Sequence, residues 1–194
     1  METRDRILDA AAELMRTRGI IRTTTKEIAK AAGFSEATLY KHFRDKEELL
    51  LRVLRERMPG LSRVEAEAGE GLVVDNVFTL VRSALDFYRE AFPMLGSLLS
   101  EPRLMVAHSA SIGRYGAGPG HAVDRIADYF RAEQRLGRVA ADADPDAAAA
   151  LLAGACFQQA FLRYFAEGAE AAPSPDALAT TLARTLTRSL TTPA

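Results

Sequence analysis

The chain has 194 residues, 48% of them hydrophobic and 26% charged, with a formal net charge of −1. That is the balance of an ordinary soluble globular protein with chain enough for a real core, and it excludes a polycation. The single cysteine, Cys156, excludes an intramolecular disulfide; no signal peptide or twin-arginine segment opens the chain, and no apolar run reaches membrane-spanning length, so a cytoplasmic protein without membrane contact is expected.

The charge is unevenly spread. Residues 1–47 hold ten Lys/Arg against eight Asp/Glu, a surplus of two, whereas the remainder holds fifteen against eighteen, a deficit of three. The sign is the one expected for an N-terminal segment that meets nucleic acid. A first helix is predicted from Thr3 or Arg4 to Arg18, with Ile7, Leu8, Ala11, Leu14 and Met15 on one stripe and Gly19 ending it. Arg4, Arg6 and Arg22 either reach phosphates or sit on a solvated face. Ile20 and Ile21 dock this helix onto the next two.

From Thr23 to Leu50 the chain reads TTTKEIAKAAGFSEATLYKHFRDKEELL. Thr24 with Glu27 three residues on is a capping-box pattern, placing a helix start at Thr25, and Ile28, Ala29 and Ala32 share one face. Gly33 supplies the positive φ of a sharp turn, Phe34 plugs the corner, and Ser35 caps a second helix from Glu36 to Phe43. There Leu39 and Phe43 point inward, which turns Ala37, Thr38 and Lys41 to the opposite side with Tyr40 and His42 on the flanks. A short helix with one apolar edge and small, hydroxyl and cationic groups opposite suits the major groove, its flanks reaching the sugar-phosphate walls. The expected contacts to double-stranded DNA are Thr24, Thr25, Lys26, Ser35, Glu36, Ala37, Thr38, Tyr40, Lys41, His42 and Lys46, with Ala37 and Thr38, aided by Glu36, reading base edges.

The same string carries a resemblance. A Thr-rich entry, then IAKAAGFS, TLYKHF and DKEELL, running almost without a break from Gly19 to Leu50, resembles the tetracycline-repressor (TetR) family of bacterial regulators. Beyond about Leu54 only the architecture matches. The resemblance implies about nine helices, and C-terminal helices that surround an apolar ligand cavity with a few polar anchors.

Asp45 with Glu48 forms a second capping-box pattern, opening a linking helix to Met58 that Pro59-Gly60 stops or bends. Glu65 to Gly71 reads as a loop. Leu72 to Phe92 is a long amphipathic helix ended by Pro93, and Met94 to Ile112 is helical with an interruption at Pro102. The Gly-rich stretch from Gly113 to Gly120 follows no strand and precedes no Walker lysine, so it reads as a plain loop. His121 to Leu136 is a helix; Asp144-Pro145 opens another to Glu167, and Ser174-Pro175 repeats the device for the last. No segment reads as a strand. The fold class is therefore all-α: a three-helix helix-turn-helix domain over residues 1–47 and a helical effector-binding and dimerisation domain over residues 48–194.

The helix from Asp146 to Glu167 is apolar or small over far more than one stripe, which calls for two packing partners. One is its own domain and the other the same helix of a second subunit, in an isologous four-helix interface holding Ala147, Ala150, Gly154 and Phe165 with Leu178, Leu182 and Leu186 of the last helix. A fully internal helix in a monomer is the bland alternative. Met58, Tyr88, Phe92, Met105, His108, Phe157, Gln158 and Phe161 are the candidate ligand contacts, with Phe157, Gln158 and Phe161 expected to face the domain interior; Gln159 and Tyr115 are further candidate anchors. The three histidines, His42, His108 and His121, have no metal spacing, and neither Ser97 nor Ser100 sits in a nucleophile elbow. The expected function is thus a ligand-responsive regulator, most simply a repressor, which binds a palindromic operator as a homodimer and is released by a small lipophilic effector. No cofactor, metal or catalysis is expected. The alternative is a helical small-molecule-binding protein or enzyme that never touches DNA.

Overall fold

The computed structural model describes residues 2–20, 22–57, 66–113, 119–168 and 171–191. Among them lie nine helices and no strand: α1 Thr3–Arg18, α2 Thr25–Ala32, α3 Glu36–His42, α4 Lys46–Glu56, α5 Val73–Leu99, α6 Pro102–Gly113, α7 Pro119–Arg135, α8 Pro145–Glu167 and α9 Asp176–Leu190. They form two compact units, one of residues 1–59 and 90–117, the other of residues 60–89 and 118–194, so α5 gives its first part to the second unit and its last part to the first.

In the first unit, α1 ends where Gly19 takes a φ of 80°, and its Ile7, Leu8, Ala11 and Met15 are fully buried. They share one core with Ile28 and Ala29 of α2, Leu39 and Phe43 around α3, Leu49 and Val53 of α4, Met94 and Leu98 of α5 and Leu104 of α6. Caps fix the short elements. Both arms of the α2 capping box are present: Thr24 accepts from the Glu27 amide, and the Thr24 amide donates to the Glu27 carboxylate. Gly33 then turns left-handed at φ 79°, and a Cβ there would sit 3.0 Å from the Arg6 guanidinium. The left-handed φ is what calls for glycine, since the arginine tip could give way to a Cβ. At α4 the Asp45 carboxylate accepts from the Glu48 amide as expected, but the return arm shifts by one residue, with Glu48 accepting from the Arg44 amide at 2.9 Å.

In the second unit, Val77, Leu80, Val81, Ala84 and Leu85 of α5 pack with Ile126 and Phe130 of α7, Ala149, Leu152 and Cys156 of α8, and Ala179 and Ala183 of α9. Burial pushes the Cys156 thiol up to about 12, so it stays protonated and packs as a small apolar group. Glu133 of α7 is wholly buried and held by the Arg138 guanidinium at 3.0 Å, with the Gly69 amide donating to its other oxygen. Arg138 also donates to the Gly71 carbonyl at 2.7 Å, so the segment preceding α5 is tied to the end of α7.

Two expectations are corrected. Pro93 does not end a helix: α5 runs through it, because a proline loses one backbone bond while Ala91, Met94 and Leu98 around it keep the segment buried. The interruption expected at Pro102 is present: it falls between α5 and α6, where Pro102 takes the first position of the next helix, as its fixed φ favours. Ser174 does not cap α9; Pro175 holds the N-cap position without a side-chain bond, and Ser174 is buried with its carbonyl accepting from Arg82. Met58, Pro59-Gly60 and Tyr115, with most of the expected Gly113 to Gly120 loop, lie outside the described residues.

Arg4 and Arg57 clasp α1 to the end of α4. Arg4 donates to both Glu56 oxygens at 3.0 and 2.8 Å, and Arg57 forks to Asp9 at 2.6 Å and Asp5 at 2.8 Å. The Arg4 hydrogen bonds, reinforced by Arg55, hold the Glu56 carboxyl down at about 2 against an ordinary value of 4.5. A carboxylate depressed in the folded state contributes stability that is present above its unfolded pKa and lost as pH falls through the folded one. Glu56→Gln should therefore cost about 1–2 kcal/mol at pH 7, the figure being trimmed by partial solvent exposure. The melting-temperature gap between the variant and the parent chain should close as pH falls from 4.5 to 2. A gap that persists undiminished at the acid end would show that the ion pair is not its source.

Candidate nucleic-acid interface

α3 is only seven residues long, and its orientation rests on two anchors: Leu39 is fully buried and Phe43, just past its end, is 2% exposed. With those fixed, Ala37, Tyr40, Lys41 and His42 are exposed and Glu36 and Thr38 half-buried, which is the face the sequence assigns to the groove. Lys26 is exposed near the start of α2, beside Thr24. The exposed set thus combines a small residue, a phenol, two lysines and an imidazole on one surface of the first unit.

The hydroxyls assigned to DNA are largely engaged within the protein. The Thr24 hydroxyl accepts from the Glu27 amide and donates to the Glu27 carboxylate at 2.8 Å; that donated bond, followed by the one from the Thr24 amide, holds Glu27 below the usual carboxylate range. Ser35 accepts from the Thr38 amide, and its hydroxyl lies 2.9 Å from that of Thr38. Thr25 is 9% exposed; its hydroxyl donates to Glu36 Oε1 at 2.5 Å and lies 3.3 Å from the Tyr40 hydroxyl. Lys46 reaches the Ile20 carbonyl at 3.5 Å. The Glu48 amide, followed by Arg44, holds Asp45 low in turn.

Two of the three arginines raised as phosphate contacts turn to structural work. Arg4 pairs with Glu56 and lies over the Phe43 ring at 5.8 Å, joining α1 to the end of α3. Arg6 donates to the Ala32 carbonyl at 2.9 Å and stacks over Phe34 at 4.8 Å, bracing the turn. Arg22 is exposed. Pattern reading could not foresee the Thr25–Glu36 contact, since the two residues meet only through the tertiary crossing of α2 and α3. The Arg6 contact was open to inference, because a bare carbonyl at the C-terminus of a short helix favours a cation.

The ligand and dimer candidates divide between the two units. In the first, Phe92 and Met105 are half-buried, and His108 is buried, with its pKa lowered by burial and with no hydrogen-bond partner for Nδ1 among the described residues. In the second, Tyr88 is the middle ring of an aromatic trio, edge-on to Phe87 at 4.9 Å and to Phe157 at 5.5 Å; burial raises its pKa. The expectation that Phe157, Gln158 and Phe161 face the domain interior is corrected. The inner side of α8 is Ala148, Ala149, Leu152, Ala153, Cys156 and Ala160, whereas Phe157 and Phe161 are 42% and 44% exposed and Gln158 is exposed. Gln159 is half-buried.

Those three side chains share the outer side of α8 with Ala147, Ala150, Gly154 and Phe165, all exposed or nearly so, and with Leu151 and Leu162. On α9, Leu178, Leu182 and Leu186 are partly buried against the unit's own core, while Ala179 and Ala183 are the residues that face it directly. No group of three His, Cys, Asp or Glu among the described residues converges as around a metal ion, and no described helix is long and apolar enough to cross a membrane.

Comparison with known proteins places these features. A regulator named YvkB from Bacillus subtilis is 48% identical over 52 residues, 27% of this chain and 28% of that protein. AcrR of Shigella flexneri is 38% identical over 66 residues, 34% of this chain and 31% of its own length. The chain thus covers about three-tenths of the length of these relatives. Over almost the whole chain, 98% of each partner, the fold superposes on a transcriptional regulator from Saccharomonospora viridis in complex with choline, with a TM-score of 0.74 at 22% identity. The family model described as bacterial regulatory proteins of the tetR family matches residues 7–53, and a second, the C-terminal domain of AefR-like transcriptional repressors, matches residues 102–191. Between them the two matches take in more than half of the chain, which belongs to the TetR family of bacterial regulatory proteins.

Proposed function

We propose that the chain is a ligand-responsive transcriptional regulator, most simply a repressor, that holds a palindromic operator as a homodimer in the bacterial cytoplasm and performs no catalysis. The observation that carries this reading is the exposed surface of α3, where Ala37, Tyr40, Lys41 and His42 stand outward while Leu39 and Phe43 fix the helix beneath them. A helix so presented can enter the major groove, with Lys41 and the neighbouring Lys26 reaching phosphates and Ala37 and Thr38 lying nearest the base edges. The alternative of a small-molecule-binding protein or enzyme would leave this surface without a purpose. Retarded migration of the DNA flanking its own gene tests the reading directly. Log affinity should fall linearly with log salt, and Lys41→Ala should flatten that slope by about one unit. An unchanged slope would remove Lys41 from the interface.

One short recognition helix reads too few bases to be selective, so the reading needs a second copy of the chain. The outer side of α8 supports it: Leu151 is 67% exposed, Leu162 49% and Phe165 81%, beside exposed Ala150 and Gly154. Apolar side chains at that density are costly in water and are relieved by a twofold-related copy of the same face. Phe161 belongs with this interface by its position. Phe165→Glu should turn a dimer into a monomer in sedimentation at micromolar concentration, and a parent chain already monomeric there would sink the assignment.

The effector is proposed as a mainly apolar small molecule, neutral or cationic. The aromatic trio Phe87, Tyr88 and Phe157 offers ring edges and a half-buried phenol, and the acidic balance after residue 47 disfavours anions. The Saccharomonospora viridis neighbour is described in complex with choline, so a protein of this helical architecture takes a small cation. In a thermal-shift comparison of an alkyltrimethylammonium salt, a neutral aromatic and a dicarboxylate, one of the first two should raise the midpoint by roughly 5–10 °C at a hundredfold excess over Kd. Phe157→Ala should abolish the shift. Stabilisation by the dicarboxylate alone would overturn the proposal.

A further inference from the structure

We propose that Thr25 is a positioning residue for base selection. Its hydroxyl fixes Glu36 as an acceptor-only reader of the major groove, so that each half-site carries a cytosine where Glu36 meets it. The inference rests on α3 being the recognition helix, as proposed above, and names what one of its side chains selects.

A threonine hydroxyl has one hydrogen to give and lone pairs to receive. At 2.5 Å the Thr25 contact to Glu36 Oε1 lies in the short range of charge-assisted O–H···O⁻ bonds, so the proton is spent there. Toward Tyr40 the Thr25 oxygen can only accept, and 3.3 Å is long for a bond between hydroxyls. The two arms are therefore unequal. Thr25 holds Glu36 firmly and Tyr40 loosely, which leaves the tyrosine hydroxyl able to turn to a phosphate.

The lock is well founded on the Thr25 side. Thr25 is 9% exposed and sits in the first turn of α2, next to the complete Thr24–Glu27 capping box. Glu36 is half-buried in the first turn of α3, one turn ahead of the exposed Tyr40 on the same flank. An unrestrained glutamate has three side-chain torsions to lose on docking; this one has already lost them. One carboxylate oxygen is taken by Thr25, and the other remains to accept.

Acceptor-only chemistry then decides the base. Guanine shows N7 and O6 in the major groove and thymine shows O4, all of which repel a carboxylate; adenine offers an amino group, but beside the N7 acceptor. Cytosine N4 is the donor that suits it. A carboxylate near the phosphates also weakens binding to every sequence, so its presence on this face is a cost that selectivity offsets.

The test is selection from a random duplex library by the full-length chain, alongside Glu36→Gln, Thr25→Val and Thr25→Ser, with melting curves to confirm that each variant folds. The parent chain should enrich a motif with one cytosine per half-site favoured about tenfold over other bases at that place. Glu36→Gln should move that position to adenine, whose N6 and N7 match an amide, and should bind unselected DNA more tightly. Thr25→Val should flatten the cytosine position alone, and Thr25→Ser should keep it. An unaltered motif in both Glu36→Gln and Thr25→Val, or a uniform loss across all positions in a folded Thr25→Val, would overturn the proposal. If the parent chain enriches no motif at all, the DNA-binding reading falls, and this inference with it.

Discussion

The burial of Leu39 and Phe43 is the constraint on which the DNA-facing surface depends. A helix of seven residues has far too few internal bonds to repay its nucleation, and in isolation it would not form. It exists because Ser35 caps one end and two apolar side chains pin the other side into a core shared with α1 and α4. Once those side chains are inside, the helix has no rotational freedom left. The exposure of Ala37, Tyr40, Lys41 and His42 follows from geometry and from nothing else. Arg4 and Arg6 serve the same end, one seated over Phe43 and the other over Phe34, so that α1 braces both ends of the turn and recognition helix.

The polar groups of this region fall into two sets. Hydroxyls near helix starts are the cheapest caps available, and Thr24, Ser35 and Thr25 are all committed to bonds within the chain. Lys26, Lys41, His42 and the Tyr40 phenol cap no helix and stay outward. The surface therefore separates a rigid, hydrogen-bonded frame from longer charged tips. Contacts that position the protein on a duplex can tolerate mobility, because phosphates are everywhere; contacts that select a base cannot. Glu36, braced by Thr25, meets the second requirement, as does Thr38, whose hydroxyl lies 2.9 Å from that of Ser35.

How much of this was legible depends on the kind of signal each element sends. The helix-turn-helix was readable almost residue by residue, because caps, a left-handed glycine and inward Leu and Phe are local signals with fixed spacing. The break expected at Pro93 is absent because proline forbids one bond without forbidding a helix whose neighbours stay buried. The outer and inner sides of α8 could not be told apart by pattern. Alanines buried in the chain and alanines on its surface look alike in a sequence, and the large rings of Phe157 and Phe161 suggest an interior that in fact belongs to Ala149, Leu152 and Cys156. Small residues lie inward here because α7 and α9 pack close against α8, which leaves the rings outside. The Thr25–Glu36 lock and the Arg4–Glu56 clasp join residues 11 and 52 positions apart, and no periodicity reports such pairs.

The composition of the first unit bears on how a signal can reach the DNA-facing helix. Met94 and Leu98 of α5 and Leu104 of α6 lie in the same buried cluster as Leu39 and Phe43, and α6 packs on α4. The unit that presents α3 therefore takes in α6, which carries the buried His108, rather than stopping at the helix-turn-helix. An effector acts only through its differential affinity for two states, and a close-packed core does not deform by degrees. A shift of α6 must then carry α4 with it as one body. Because Arg4 and Arg57 fasten the end of α4 to α1, and α1 seats the recognition helix, α4 cannot move without either dragging α1 along or breaking four charged hydrogen bonds. The first course keeps the unit intact and moves α3 as part of the whole, which is the cheaper one. On the reading proposed above, an effector would therefore leave the first unit whole and the chemistry of the α3 face unchanged.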